Sequence, residues 1–227
     1  MQKLLKVMVL TAAVGAAFPV MAAPTLVTTD VGYTGPQLDL TGFDNGSYNF
    51  TFGPVSLPNG ITFTAAPGGG GNSGNGSVIG QGGYGLAGNG SFGGTATYIG
   101  VDSGTGYAEF TFASAVSSFG GYWNYAPGYG DAPTLSTYDG FGNQLSSFDL
   151  SALAPISTPG GFNEFEFRGI VHDMADIKTF RFGGSYILLA GTADGTLAPV
   201  PEPETYAMML AGLGMLGFMA RRRRKQA

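Results

Sequence analysis

His172 is the only histidine of the chain, and cysteine is absent. A nucleophilic triad would therefore have to turn on that one imidazole. It stands in Gly169-Ile170-Val171-His172-Asp173-Met174, expected to be a loop after a strand, and no Gly-x-Ser-x-Gly elbow accompanies it. A surface or hydrogen-bonding histidine is the favoured reading. Glu164 and Glu166 lie two apart, so on a strand they share a face, with a rise of about 6.6 to 6.8 Å between them. That falls in the broad range of glycosidase carboxylate pairs. Glycosidase pairs usually face a cleft from separate elements, however, and alternation alone makes same-strand pairs common. Arg168 continues this face and would compensate its charge, so a solvated strand face is expected. Asp139 and Asn143 offer loop oxygens to calcium, but turn chemistry explains both residues and is preferred. These residues assign no catalytic group, metal site or cofactor, and the chain reads as a non-enzyme.

The best ligand candidate is aromatic. Tyr122, Trp123, Tyr125 and Tyr129 cluster with Asn124 and Asp131. Flat rings can stack on the apolar faces of sugars, while amide and carboxylate groups take the hydroxyls. Trp123 shares strand parity with Phe119 and is expected in the core. Tyr129 and Asp131 fall in a loop and are the better expectations for exposure. Gly80 to Gly85 matches G-x-G-x-x-G, but without a strand-loop-helix context the dinucleotide reading is discarded. Ice binding would need a flat, regular threonine array, which Thr95 and Thr97 alone do not make.

The elements that must position these residues are strands. Between residues 24 and 200 helical periodicity is scarce, glycine is abundant, and short alternating segments are separated by turn residues. Ser47 to Phe52 puts Tyr48, Phe50 and Phe52 on one face. Asn59-Gly60 predicts a hairpin into a strand over 61–64, because both residues tolerate φ > 0. Strands are expected over 108–112, 117–125, 134–138, 144–150, 162–167, 177–182 and 185–190, with a five-residue hairpin loop at 139–143. Along 162–167, Phe165 and Phe167 are expected opposite Glu164 and Glu166. From Gly68 to Gly94, fourteen of twenty-seven residues are glycine. This stretch cannot build a core of its own and reads as a long surface loop or an arm laid across the sandwich, with Val78, Ile79 and Tyr84 as its anchors.

Composition narrows the function. Of ten Lys and Arg, the body keeps only Arg168, Lys178 and Arg181, against thirteen acids, so its charge is near −10 (3 minus 13). Nucleic-acid binding is unexpected on such a surface. Lacking cysteine, the body must draw its stability from its core alone.

The basic residues otherwise concentrate at the two ends. Lys3 and Lys6 precede an apolar run of twelve residues, Val7 to Phe18, and then Val20-Met21-Ala22. This is the pattern of a signal peptide over 1–22, read by the Sec translocon and cut by signal peptidase after Ala22. At the other end, Thr205 to Ala220 is uncharged and apolar, expected as a transmembrane helix. Sixteen residues span about 24 Å, and Arg221, Arg222, Arg223, Arg224 and Lys225 can close the remaining gap by snorkelling. The same cations hold that end in the cytoplasm, leaving the body outside the inner membrane.

Val200-Pro201-Glu202-Pro203-Glu204-Thr205, the glycine-bearing apolar segment and Arg-Arg-Arg-Arg-Lys together resemble the PEP-CTERM sorting signal of exported Gram-negative proteins. The resemblance covers 200–225. It implies recognition at Pro201, Glu202 and Pro203 by an exosortase, a membrane-embedded cysteine protease-transpeptidase. The prolines disfavour helix and leave an extended segment outside the bilayer for that enzyme to grip. Glu202 is then the one charge between two rigid residues. Gly120 to Gly128, Tyr138 to Asn143 and Phe167 to Val171 further resemble the bodies of such proteins, jelly-roll sandwiches related to carbohydrate-binding modules.

The reading is an all-β protein: signal peptide 1–22, a jelly-roll-like antiparallel sandwich over 23–192, a linker over 193–199, and the sorting signal. It is expected to be structural or adhesive in extracellular polysaccharide or biofilm, with exopolysaccharide as a partner. A carbohydrate-binding module is the first alternative and a glycosidase the weaker one.

Overall fold

A computed structural model describes residues 22–36, 38–66, 76–86, 89, 97–153 and 166–191. Thirteen strands run through them, numbered in chain order: β1 Thr25–Val27, β2 Tyr48–Phe50, β3 Val55–Leu57, β4 Ile61–Ala65, β5 Ser77–Gln81, β6 Thr97–Val101, β7 Tyr107–Val116, β8 Ser118–Asn124, β9 Thr134–Tyr138, β10 Gln144–Asp149, β11 Glu166–Val171, β12 Ile177–Gly183 and β13 Leu188–Ala190. Helical structure among the described residues is confined to a four-residue helix, Leu150–Leu153, a 3₁₀ turn, Pro58–Gly60, and Asn89.

The strands form two antiparallel sheets, one ordered β1-β11-β8-β13-β6-β5-β2, the other β10-β9-β12-β7-β4-β3. From β6 onward every connection except the β9-β10 hairpin crosses from one sheet to the other. This is the alternation of a jelly-roll-like sandwich, and the all-β expectation holds.

Aromatic side chains fill the space between the sheets. Phe110, Phe180 and Phe182 of the six-stranded sheet meet Phe119 and Trp123 of the seven-stranded sheet, all fully buried. Phe119 and Phe180 centroids lie 4.8 Å apart, and Trp123 stacks on Phe180 at 5.9 Å with planes 20° apart. Burial of each such ring stabilises the fold by roughly 1.5–3 kcal/mol. In a chain without cysteine this cluster takes the place of covalent staples.

The Asn-Gly turn is present: Asn59 and Gly60 have φ of 62° and 71°, and Leu57 pairs with Ile61 across them. The 139–143 loop is also where it was expected, between β9 and β10. Asp139 Oδ1 accepts from the amides of Phe141 and Asn143, each at 2.8 Å, and Oδ2 accepts from Asn143 Nδ2 at 2.8 Å. Those donors, the Asn143 side chain first, hold the Asp139 carboxyl below its ordinary range. Its oxygens are thereby engaged in closing the turn.

Two features depart from the alternation pattern. The first is in the glycine-rich stretch, where β5 is a fully buried strand between β2 and β6. Beyond it the chain doubles back, so that Tyr84 and Leu86 cover Val78, Tyr98 and Leu188 on the outer face of the seven-stranded sheet. Tyr48 and Phe50 share one face as expected, and it packs on this second cluster. Gly80 permits the tight β2–β5 approach: a Cβ there would lie 2.6 Å from Tyr48 Cα. Residues 67–75, 87–88 and 90–96 of the stretch lie outside the described residues.

The second is β11, whose described span begins at Glu166; Glu164 and Phe165 lie outside the described residues. Arg168 pairs with Gly121 and Ile170 with Phe119, so Glu166 and Arg168 point to the same side as Trp123 and the core. Arg168 is only 6% exposed. The solvated face expected for it is therefore corrected. The space a side chain at Gly121 would take is filled by Leu189 Cδ1. Phe167, on the other side, is covered by Tyr33 and Tyr122 at 5.0 and 5.5 Å. Burial pulls the Arg168 pKa down, while Glu166, 3.8 Å away, opposes that shift.

Candidate ligand-binding surfaces

The structure divides the aromatic candidates among three environments. Trp123 and Tyr125 are in the core, and Trp123 Nε1 donates to the Arg168 carbonyl at 2.9 Å. Asn124 is buried on the outer side of β8, where it locks the glycine-rich arm in place. Asn89 Nδ2 donates to Asn124 Oδ1 at 3.3 Å, and Asn124 Nδ2 returns a bond to the Asn89 carbonyl at 3.2 Å. Tyr122, on that same outer side, donates its hydroxyl to Asp30 Oδ2 at 2.5 Å. That bond to a carboxylate, with a smaller contribution from burial, raises the Tyr122 pKa. Tyr122 is half-buried, and the exposed candidates are Tyr129, 56% exposed, and Asp131, together in the β8–β9 loop.

This loop is held rigidly. The Asp131 amide donates to the Gly104 carbonyl at 2.8 Å, which also accepts from the Ser185 amide at 2.9 Å. Ser185 Oγ donates to the Asp131 carbonyl at 2.6 Å. Ser185 and Tyr186 have φ of 49° and 53°, consecutive non-glycine residues in the left-handed region. Such a conformation costs of order 1–3 kcal/mol per residue and persists only where surrounding bonds fix it. Ser-Tyr carries no sequence signal for this geometry. The last strand accordingly begins at Leu188, three residues later than expected.

His172 follows β11, as expected, and is buried. Its Nδ1 donates to Asp176 Oδ1 at 2.8 Å, and its Nε2 lies 3.2 Å from Thr137 Oγ1, which is 2.7 Å from Ser146 Oγ. Carboxylate, imidazole and hydroxyl thus stand in the order of a triad. Yet Thr137 is fully buried, and the chain of bonds ties the β9–β10 hairpin to the loop after β11.

Sequence reasoning passed over the outer face of the six-stranded sheet. Glu109, Arg181 and Ser136 are direct cross-strand neighbours on β7, β12 and β9. Arg181 Nε and Nη2 both reach Glu109 Oε1, at 2.7 and 2.6 Å. The guanidinium sits 4.1 Å from the Tyr107 ring centroid and 4.5 Å from that of Tyr138. The one available signal was the run of Thr, Glu, Arg and Tyr at alternate positions of these strands. Among the described residues no cluster of His, Asp and Glu is placed to hold a metal ion.

Pro201, Glu202, Pro203 and the basic run Arg221 to Lys225 lie outside the described residues, as does the signal peptide except Ala22. No helix among the described residues is long and apolar enough to cross a membrane, and the expected span 205–220 is not among them. No curated protein and no solved structure matches the chain. Residues 199–224 match the family model of the PEP-CTERM protein-sorting motif, which implies an exported protein, anchored in a membrane before processing, with an exosortase as its processing partner.

Proposed function

We propose that the chain is a surface or extracellular-matrix protein of a Gram-negative bacterium, with a structural or adhesive rather than catalytic role in exopolysaccharide or biofilm. In this reading the Sec translocon and signal peptidase act at residues 1–22. The body then faces the periplasm from the inner membrane until exosortase processes the tail. What supports this is the joining of the sorting motif to an acidic, cysteine-free sandwich. Those of its candidate catalytic groups that are described have structural partners: His172 bonds Asp176 and Thr137, and Glu166 is ion-paired with Arg168. A net charge far from zero keeps such a body soluble among polymers.

A carbohydrate-binding module is the second reading, kept because Tyr129 and Asp131 stand exposed on a rigid loop. Intact-mass spectrometry of the protein from its producing host, with fractionation, tests the first. The expected species has lost residues 1–22 and the apolar and basic tail, and it co-fractionates with extracellular polysaccharide. An unprocessed chain in the cytosol overturns the proposal.

A further inference from the structure

We propose that the outer face of the six-stranded sheet binds a neutral polysaccharide chain, with the Arg181–Glu109 pair reading adjacent sugar hydroxyls. This deepens the matrix reading above and rests on it only for the supply of polymer.

Two rows cross this face. Thr62, Thr111, Thr179 and Tyr138 are successive cross-strand neighbours on β4, β7, β12 and β9. The adjacent row reads Thr64, Glu109, Arg181 and Ser136. The rows span three strand intervals, about 14 Å, longer than one pyranose ring. All but Ser136 are partly exposed. The seven-stranded sheet differs, because its outer face is covered by Tyr84, Leu86 and Tyr33 from the chain itself.

The charges select the ligand. Glu109 and Arg181 neutralise one another, and their bonds converge on Glu109 Oε1. Arg181 Nη1 and Glu109 Oε2 take no part in those bonds, so the pair keeps one donor group and one acceptor oxygen for a ligand. A vicinal diol is both acceptor and donor, so it can answer the two at once without leaving an unpaired charge. A polyuronate or nucleic acid would instead meet Glu109 and a body near −10. A protein partner would find little apolar area to bury on these hydroxyl-lined rows. Tyr107, 39% exposed, and Tyr138 hold the guanidinium in place against the sheet. The second row interrupts the threonines with a charge pair, so the face is not a regular threonine array.

Affinity electrophoresis of the purified full chain tests this, in gels containing dextran, hydroxyethylcellulose or galactomannan, with alginate as the anionic comparison. The expected result is retardation by at least one neutral polymer and none by alginate. Arg181→Lys keeps the charge but loses the fork, and should weaken binding about tenfold or more. The double variant Thr111→Val, Thr179→Val removes two hydroxyls at constant shape and should weaken it as well. Circular dichroism checks that both variants remain folded. Tyr129→Ala, at the separate loop, should bind as wild type. The proposal is overturned if no neutral polymer retards the wild type, or if both sheet variants bind unchanged. It is overturned equally if binding is lost on Tyr129→Ala, or if alginate retards the protein as strongly. Because processing is read separately by mass, loss of the site leaves the export reading standing.

Discussion

Tyr84→Phe separates the contribution of the glycine-rich arm from that of the sandwich core. The Tyr84 hydroxyl donates to Asp102 Oδ1 at 2.6 Å, and Asp102 is only 1% exposed. Removing a hydrogen bond to a buried carboxylate costs about 1.5–3 kcal/mol. For a domain of this size that lowers Tm by roughly 3–12 °C at neutral pH. The pH dependence has a definite sign. Burial, and then the bond to Asp102 and its charge, raise the Tyr84 pKa above its ordinary value near 10. Above pH ~10 the unfolded chain has lost a proton that the native state keeps, so wild-type stability falls as pH rises, by about 1.4 kcal/mol per pH unit for this one group. The phenylalanine variant lacks that loss. Tyr33 and Tyr98 are also raised by burial, but both are present in both proteins and cancel in the comparison. The stability gap should therefore be widest from pH 7 to 9 and close within about one to two pH units above 10. Urea unfolding followed by circular dichroism, at a series of pH values, measures it. Equal stability at pH 7, or a gap that stays constant through the alkaline range, would refute the reasoning.

Four further outcomes can be checked, three from the structure and one from the sorting motif. Trp123→Ala should cost about 3–5 kcal/mol by opening a cavity beside Phe180 and Phe182. The exposed Tyr129→Ala should stay within about 0.5 kcal/mol of wild type, and thermal melts distinguish the two. Gly80→Ala would put a Cβ 2.6 Å from Tyr48 Cα at a φ of 138°; a loss of about 2 kcal/mol or more, with increased proteolysis near β2, is expected. Glu202→Ala should abolish C-terminal processing in the producing host, leaving a species with the intact tail by mass, if the charge between Pro201 and Pro203 is what the exosortase recognises.

Much of the sandwich was legible because alternation is local. β9 and its turn at Asp139 fall where Thr134 to Asn143 place them, and β4 follows Asn59-Gly60 as the turn requires. Strands β5 and β6 were not legible. The anchors Val78, Ile79 and Tyr84 are buried as expected, but the strands themselves depend on Tyr84 and Leu86 folding back over Val78 and Tyr98, a pairing that no window of the sequence shows. Arg168 reads as a surface residue by alternation with Phe167, and it turns inward because Gly121 lies across the pair and Tyr33 covers Phe167. His172 reads as a surface or hydrogen-bonding residue, and it does hydrogen-bond; its partners Thr137 and Asp176 come from both sides of it in the chain, which is why the sequence does not name them. The Thr62-Thr111-Thr179 row had the same fate, because its members are neighbours only once three strands are in register.

The distribution of glycine ties the fold to the proposed role. Tight passage at Gly80 and Gly35 lets the chain use its own arm and its own Tyr33 segment to close the outer face of the seven-stranded sheet. The six-stranded sheet then keeps the open, hydroxyl-rich face. The last described strand, β13, belongs to the closed sheet, and Gly191 after it donates its amide to Thr97 of that sheet. The last described residue, Gly191, thus lies on the sheet that already covers itself. The open face lies on the other sheet, where a tether would not compete with a polymer for the same side chains. If the tether and the polymer did share a surface, the anchored precursor would bind neutral polysaccharide more weakly than the processed protein. The geometry predicts equal affinity for the two forms, measured in the same gels.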